Sequence, residues 1–232
     1  MMRGTEEFFV RGEGAPEVVL LPGWATDGRV FDGLFPRATT VTTGPLRPEG
    51  FPGRLAAFLD RSGARAPVTL VGWSLGGFLA AEFARERPDR VRRAILVGVR
   101  RAYPEADVEA VRQGLLRDRE ACLSGFYAQC FFPSQTADYR RFRASLQKEY
   151  LREMDDAALR PGLSYLAAAR LSGDLLPRCP VLLVHGERDV VAPAAEAEAV
   201  ARESGRAAFH RVPGAAHAAF LSDGFKTVAA DA

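Results

Sequence analysis

The stretch that decides the fold runs from Pro67 to Ala84 and is centred on Gly72-Trp73-Ser74-Leu75-Gly76. Before it, Pro67 to Val71 is a short apolar run that reads as a buried strand. After it, Gly77-Phe78-Leu79-Ala80-Ala81-Glu82-Phe83-Ala84 reads as a helix. A strand, then G-x-S-x-G, then a helix predicts a turn that raises a serine above the end of a sheet. The glycines are steric: on so tight a turn, a side chain two positions before or after the serine would clash. The same turn aims the amide of Leu75 and the positive end of the following helix at one point. That points to acyl transfer through a serine ester.

Working outward, Val18-Val19-Leu20-Leu21 is a buried strand closed by Pro22-Gly23, and Val91 to Val99 and Val181-Leu182-Leu183-Val184 are two more. Glu6 to Arg11 reads as an edge strand and Ala38 to Thr43 as a strand rich in β-branched residues. Phe51 to Arg61 and Ala194 to Ser204 read as helices, and Ala207 to Val212 as a last strand. Strands alternating with helices predict an α/β fold with a mainly parallel sheet covered on both faces.

The alternation breaks between Arg101 and Leu171. This stretch is charged, aromatic and helical in period, with stops expected at Pro133 and Pro161. We read 1–100 and 172–232 as the core, and 101–171 as a helical lid inserted between two core strands rather than an independent domain. Such a lid would lie over the strand ends, where open α/β sheets bind ligands.

A serine needs a base, and the base an orienting acid. Asp189 lies in His185-Gly186-Glu187-Arg188-Asp189, after the 181–184 strand, and His217 in Pro213-Gly214-Ala215-Ala216-His217, after the last strand. Both therefore fall at the strand ends that carry Ser74, in the chain order serine, acid, histidine. The rivals fit less well. His185 ends a strand and is expected to pack or hydrogen-bond locally, and His210 is mid-strand. Glu187 precedes Asp189 in the same turn, and Asp174 sits at the wrong end of its strand. The oxyanion hole needs two amides. Leu75 N–H is one, and Trp24 N–H, in Pro22-Gly23-Trp24-Ala25, is the second, with the Trp24 ring as a candidate pocket wall.

Composition bounds the rest. The chain has 232 residues, 47% hydrophobic and 26% charged, which describes an ordinary globular protein. A formal net charge of +2 argues against a general nucleic-acid surface. No apolar run approaches the ~20 residues of a membrane span. Glu6 and Glu7 stand where a signal peptide would need its apolar core. Three cysteines, Cys122, Cys130 and Cys179, lack metal spacing and read as reduced thiols, so a cytoplasmic location is expected.

These residues together resemble the α/β-hydrolase superfamily over nearly the whole chain. Pro22-Gly23-Trp24, Gly72-Trp73-Ser74-Leu75-Gly76-Gly77 and Ala215-Ala216-His217-Ala218-Ala219-Phe220 are similar to one branch, the pimeloyl-acyl-carrier-protein methyl ester esterases of biotin synthesis. In that branch one tryptophan follows the oxyanion glycine and another precedes the nucleophile, as Trp24 and Trp73 do here. The oxyanion loop reads Pro22-Gly23 where His-Gly is usual, and Ala218-Ala219-Phe220 stands where Ala-Pro-Phe is frequent. The resemblance implies a serine carboxylesterase with no metal or organic cofactor, acting on an ester carried by an acidic acyl carrier protein. Basic lid residues would dock that carrier, and Arg140, Arg141, Arg143, Lys148 and Arg152 form such a group, with only Glu149 opposing. A solvated helix face reads equally from the same residues. Phe126, Tyr127, Phe131, Phe132 and Phe142 are candidates both for an acyl channel and for plain lid packing. Small-ester, lactone or carbon–carbon bond hydrolysis, and an idle ligand-binding hydrolase, stay open as alternatives.

Overall fold

The computed structural model describes residues 7–230. Seven strands form one sheet: β1 (Phe8–Arg11), β2 (Val18–Leu21), β3 (Thr40–Thr43), β4 (Val68–Trp73), β5 (Val91–Val97), β6 (Val181–Gly186) and β7 (Ala208–Val212), in the spatial order β1-β3-β2-β4-β5-β6-β7. Only β1 is antiparallel to its neighbour, and it lies at the edge. The remaining pairs, β2/β3, β2/β4, β4/β5, β5/β6 and β6/β7, are parallel. β2 and β4 are buried along their whole length, as strands covered on both faces must be.

Nine α-helices complete the described fold: α1 (Phe51–Arg61), α2 (Leu75–Glu86), α3 (Glu105–Arg117), α4 (Arg119–Phe131), α5 (Thr136–Phe142), α6 (Lys148–Glu153), α7 (Asp156–Ala168), α8 (Ala194–Ser204) and α9 (Asp223–Ala230). α1 starts with Pro52 in its first turn and buries Phe51, Leu55 and Leu59, one face at helical spacing. α2 packs on β2, β4 and β5, while α8 covers β6 and β7.

The insertion between β5 and β6 is helical, α3 to α7. α5 and α6 form one rod joined by a π-helical stretch, Arg143–Gln147. Its interior is aromatic: Tyr127, Phe131, Phe142 and Tyr150 stack with ring centroids 5.1–6.1 Å apart. No helix among the described residues is long and apolar enough to cross a membrane.

Several boundaries differ from the sequence reading. β1 begins at Phe8, and Glu6 lies outside the described residues. β3 begins at Thr40 because Ala38 closes a turn onto Phe35 O. β5 stops at Val97, since Gly98 turns the chain with φ +61°. Pro133 does follow the end of α4, but Pro161 lies inside α7 instead of stopping it. The missing N–H and ring clash are outweighed there by burial of Leu159, Leu163 and Leu166 against the core.

The tightest packing lies where α2 leaves β4. A Cβ on Gly72 would come within 2.3 Å of Gly76 O, and one on Gly76 within 2.1 Å of Leu21 O. Both obstacles are backbone, so neither can swing aside. Gly76→Ala is therefore expected to cost about 3 kcal/mol or more of stability. Gly53, on the open face of α1 with nothing within 4 Å of an added Cβ, is the contrast. Gly53→Ala should gain about 0.5 kcal/mol through helix propensity. Urea unfolding of the two variants measures both.

Candidate active site

Ser74 occupies the turn between β4 and α2 with φ +53° and ψ −116°, a left-handed backbone for a residue that is not glycine. It persists because the close approach of α2 permits no other path. Ser74 N donates to Val97 O at 2.8 Å, which pins the turn to β5. Helix α2 begins at Leu75, so the Leu75 amide is a first-turn N–H without an intrahelical acceptor.

Asp189 follows β6 and is almost fully buried. Its Oδ1 accepts the amides of Val191 at 2.9 Å and Ala192 at 2.8 Å. Its Oδ2 accepts His217 Nδ1–H at 2.8 Å, which assigns the tautomer and leaves Nε2 as the acceptor. That Nε2 is buried and has no hydrogen-bond partner among the described residues. Gly186 lets the turn after β6 approach the histidine loop: a Cβ there would lie 2.1 Å from Ala216 O. Burial alone would raise the Asp189 carboxyl. The electrostatic attraction of His217 and the hydrogen bonds from His185 and His217 outweigh it and hold the group well below the usual carboxylate range.

His185 does bond locally, through Nε2 to Ala192 O at 2.6 Å, and it also faces Asp189 Oδ2 at 3.2 Å. Two imidazoles thus flank one carboxylate, a proximity hidden in sequence because His185 reads as the end of a strand. His210 lies on β7, Glu187 accepts Gly214 N–H at 2.9 Å in an exposed turn, and Asp174 is exposed beside Ser172.

Ser74 Oγ is 3.3 Å from the hydroxyl of Tyr103, and no hydrogen bond joins it to His217 in this structure. Such contacts commonly tighten only when substrate binds. Sequence reasoning did not single out Tyr103. It lies after β5, where no motif marks it, and only the turn at Gly98 carries it over the serine. Withdrawal from water pushes its phenol up to about 12, so it stays a neutral hydroxyl at ordinary pH.

A cavity of about 310 Å³ opens on Ser74. Val108, Val111, Phe126, Leu163 and Leu166 give it apolar walls, and Arg100, Asp107 and Gln129 a polar side. Trp24 lines it too, edge-on to Phe126 at 5.0 Å, its indole N–H donating to Leu159 O of α7 at 2.9 Å. The loop that carries Trp24 is strained at Ala25, φ +59°, and Tyr127 of the lid holds it by donating to Ala25 O at 2.7 Å.

The other aromatic candidates go elsewhere. Phe131 and Phe142 line a separate cavity of about 210 Å³, which Trp73 and Phe220 also border. Trp73 backs the histidine, its ring 5.5 Å from His217 and its indole donating to His217 O at 3.0 Å. Phe132 is 61% exposed and lines neither cavity, because α4 ends at Phe131 and the chain turns outward. Among the basic lid residues, Arg140, Arg141 and Arg143 are exposed. Glu149 is not their only acidic neighbour: Asp138 pairs with Arg141 and Glu153 with Arg152, while Glu149 itself pairs with Arg29. Asp138 meets Arg141 through i,i+3 helical spacing, whereas the reach of Arg29 to Glu149 is set by the fold.

The order of the strands, the position of the insertion and a match of residues 49–224 to the model of the alpha/beta hydrolase fold agree, and the chain belongs to that family. It is 32% identical to the pimeloyl-acyl-carrier-protein methyl ester esterase of Nitrosomonas europaea, over 89% of this chain and 90% of the relative. The esterase of the same description from Methylococcus capsulatus is 33% identical, over 94% of both chains. An esterase structure from Exiguobacterium antarcticum superimposes with a TM-score of 0.80 at 17% identity, covering 97% of this chain and 93% of that one, which shows the shared fold.

Because the Asp189 carboxyl is lowered, its stabilising effect is complete above the unfolded carboxylate value of about 4 and is lost as pH falls below it. Wild-type stability should therefore drop more steeply between about pH 4 and pH 2 than that of Asp189→Asn. Urea midpoints across that range check it.

Proposed function

We propose that this α/β-hydrolase is a serine carboxylesterase in which Ser74, His217 and Asp189 act together. The pairing of His217 Nδ1 with Asp189 Oδ2 at 2.8 Å, beside a serine held on a strained turn, carries the reading. Ser74 Oγ attacks the ester carbonyl while His217 Nε2 takes its proton. Asp189 fixes the imidazole and stabilises its cation. The amides of Leu75 and Trp24 hold the developing oxyanion. His217 returns the proton to the departing alcohol, leaving an acyl ester on Ser74. Water then attacks that ester as His217 takes its proton, and the acid leaves when Ser74 regains it.

The finer reading is that the ester is methyl pimeloyl-acyl-carrier-protein and the alcohol methanol. Similarity to esterases of that description over nine-tenths of the chain supports it. The lid adds a physical argument. On a regular helix Lys148 would lie about 80° round from Arg140. The π-helical stretch Arg143–Gln147 inserts one residue and brings Lys148 and Arg152 to within about 20° of Arg140, with Arg143 about 60° away. Arg140 and Lys148 have no ion-pair partner among the described residues, so their charge is available to an acidic carrier.

Incubation with methyl pimeloyl-acyl-carrier-protein, followed by mass for loss of the methyl group, tests both levels. Ser74→Ala should abolish turnover. Cleavage of the carrier-bound ester should outpace that of free methyl pimelate. No cleavage of the carrier-bound ester, with p-nitrophenyl esters still hydrolysed, would discard this substrate and keep the esterase. In the double variant Arg140→Glu/Lys148→Glu, kcat/KM should fall about tenfold on the carrier-bound ester at low salt and stay unchanged on the free one.

A further inference from the structure

The lid grips the histidine loop through the buried side-chain amide of Gln135. Gln135, just ahead of α5, is 8% exposed. Its Oε1 accepts the amide of Ala216 at 2.9 Å, and its Nε2 donates to Ala218 O at 3.1 Å. One side chain thus grips the backbone on both sides of His217. Cys130 O, also in the lid, accepts the amide of Ala218 at 3.0 Å. From the core, the indole of Trp73 reaches His217 O. Ala216, His217 and Ala218 are all fully buried, so water cannot replace a lost partner. β7 ends at Val212, and beyond Ala215 the loop has no strand to follow.

We propose that Gln135 is a positioning residue for His217, so that the lid, as well as the α/β core, sets where the imidazole stands. The inference rests on the reading of His217 as the base. A general base works only within hydrogen-bond reach of the proton it takes, and displacement of about 1 Å can cost a hundredfold in rate. The Asp189 pairing fixes one ring nitrogen, but it cannot fix the backbone from which the ring hangs. Gln135 and Cys130 of the lid and Trp73 of the core do that. Nε2 of Gln135 also donates to Asp138 Oδ2 at 2.9 Å, and Asp138 pairs with Arg141 at the surface. The amide is therefore itself held in one orientation.

Gln135→Met keeps the length of the side chain and removes both grips. Hydrolysis of p-nitrophenyl acetate should show kcat lowered about ten- to a hundredfold with KM within twofold, and labelling of Ser74 by a fluorophosphonate should slow by the same factor. Leu123→Ala, at a buried residue of α4 that borders neither cavity, serves as the control for lost stability. It should lower the thermal midpoint at least as much and keep kcat. Wild-type kcat in Gln135→Met overturns the inference, as does an equal loss in both variants. Turnover that survives Ser74→Ala or His217→Ala overturns the underlying reading and takes this inference with it, a result distinct from either of those.

Discussion

The molecule depends on the contact between the first turn of α2 and the ends of β2 and β4. Backbone atoms meet there with no room for a Cβ at Gly72 or Gly76. The chain can make that contact only by passing through a left-handed residue, and the residue placed there is Ser74. The serine consequently stands beyond the sheet edge with the free amides of a helix start beside it. Parallel strands deliver β6 and β7 to the same edge, and the turns that follow them bring Asp189 and His217 within reach. The site is what parallel topology and one tight turn leave at the carboxyl ends of the strands.

The lid then completes what the core begins. Tyr127 holds Ala25 O, and Tyr150 donates to Asp27 Oδ1 at 2.9 Å. Trp24 ties the same loop to α7, and Gln135 ties the histidine loop to the lid just ahead of α5. Arg29 adds a charged clasp, with Asp27 on its own loop and Glu149 and Glu153 on the lid. Its guanidinium is held even more firmly protonated than usual, chiefly by the bond to Asp27. Each buried hydrogen bond adds only about 1 kcal/mol to stability, but together they fix directions that apolar packing leaves free. Helices that look like a cover are therefore part of the scaffold of both catalytic loops in the proposed mechanism.

What the chain showed in one dimension was whatever has a local cause. Period and turn residues placed α1 and α8, and the strands β2 and β6, almost to the residue. G-x-S-x-G with its flanks marked the sharp turn, because strand, glycine and helix are consecutive. Chain order and their places just after core strands proposed Asp189 and His217, and their side chains do meet. The resemblance to esterases rested on the same local motifs, and relatives at about a third identity match over about nine-tenths of the chain.

The tertiary structure decided whatever depends on distance along the chain. Tyr103 reaches Ser74 across 29 positions, Gln135 reaches Ala216 across 81, and Trp24 reaches Leu159 across 135. No periodicity records such pairs. Pro161 looked like a stop because propensity is local, while the burial that overrides it belongs to the assembled core. Phe126 faces the serine while Phe131 and Phe142 face the neighbouring cavity, since where a lid aromatic points follows from how helices pack. The sequence thus determined the turn, the strands and the chemistry they can carry. The fold alone decided which distant side chains hold that chemistry in place, because only packing brings them together.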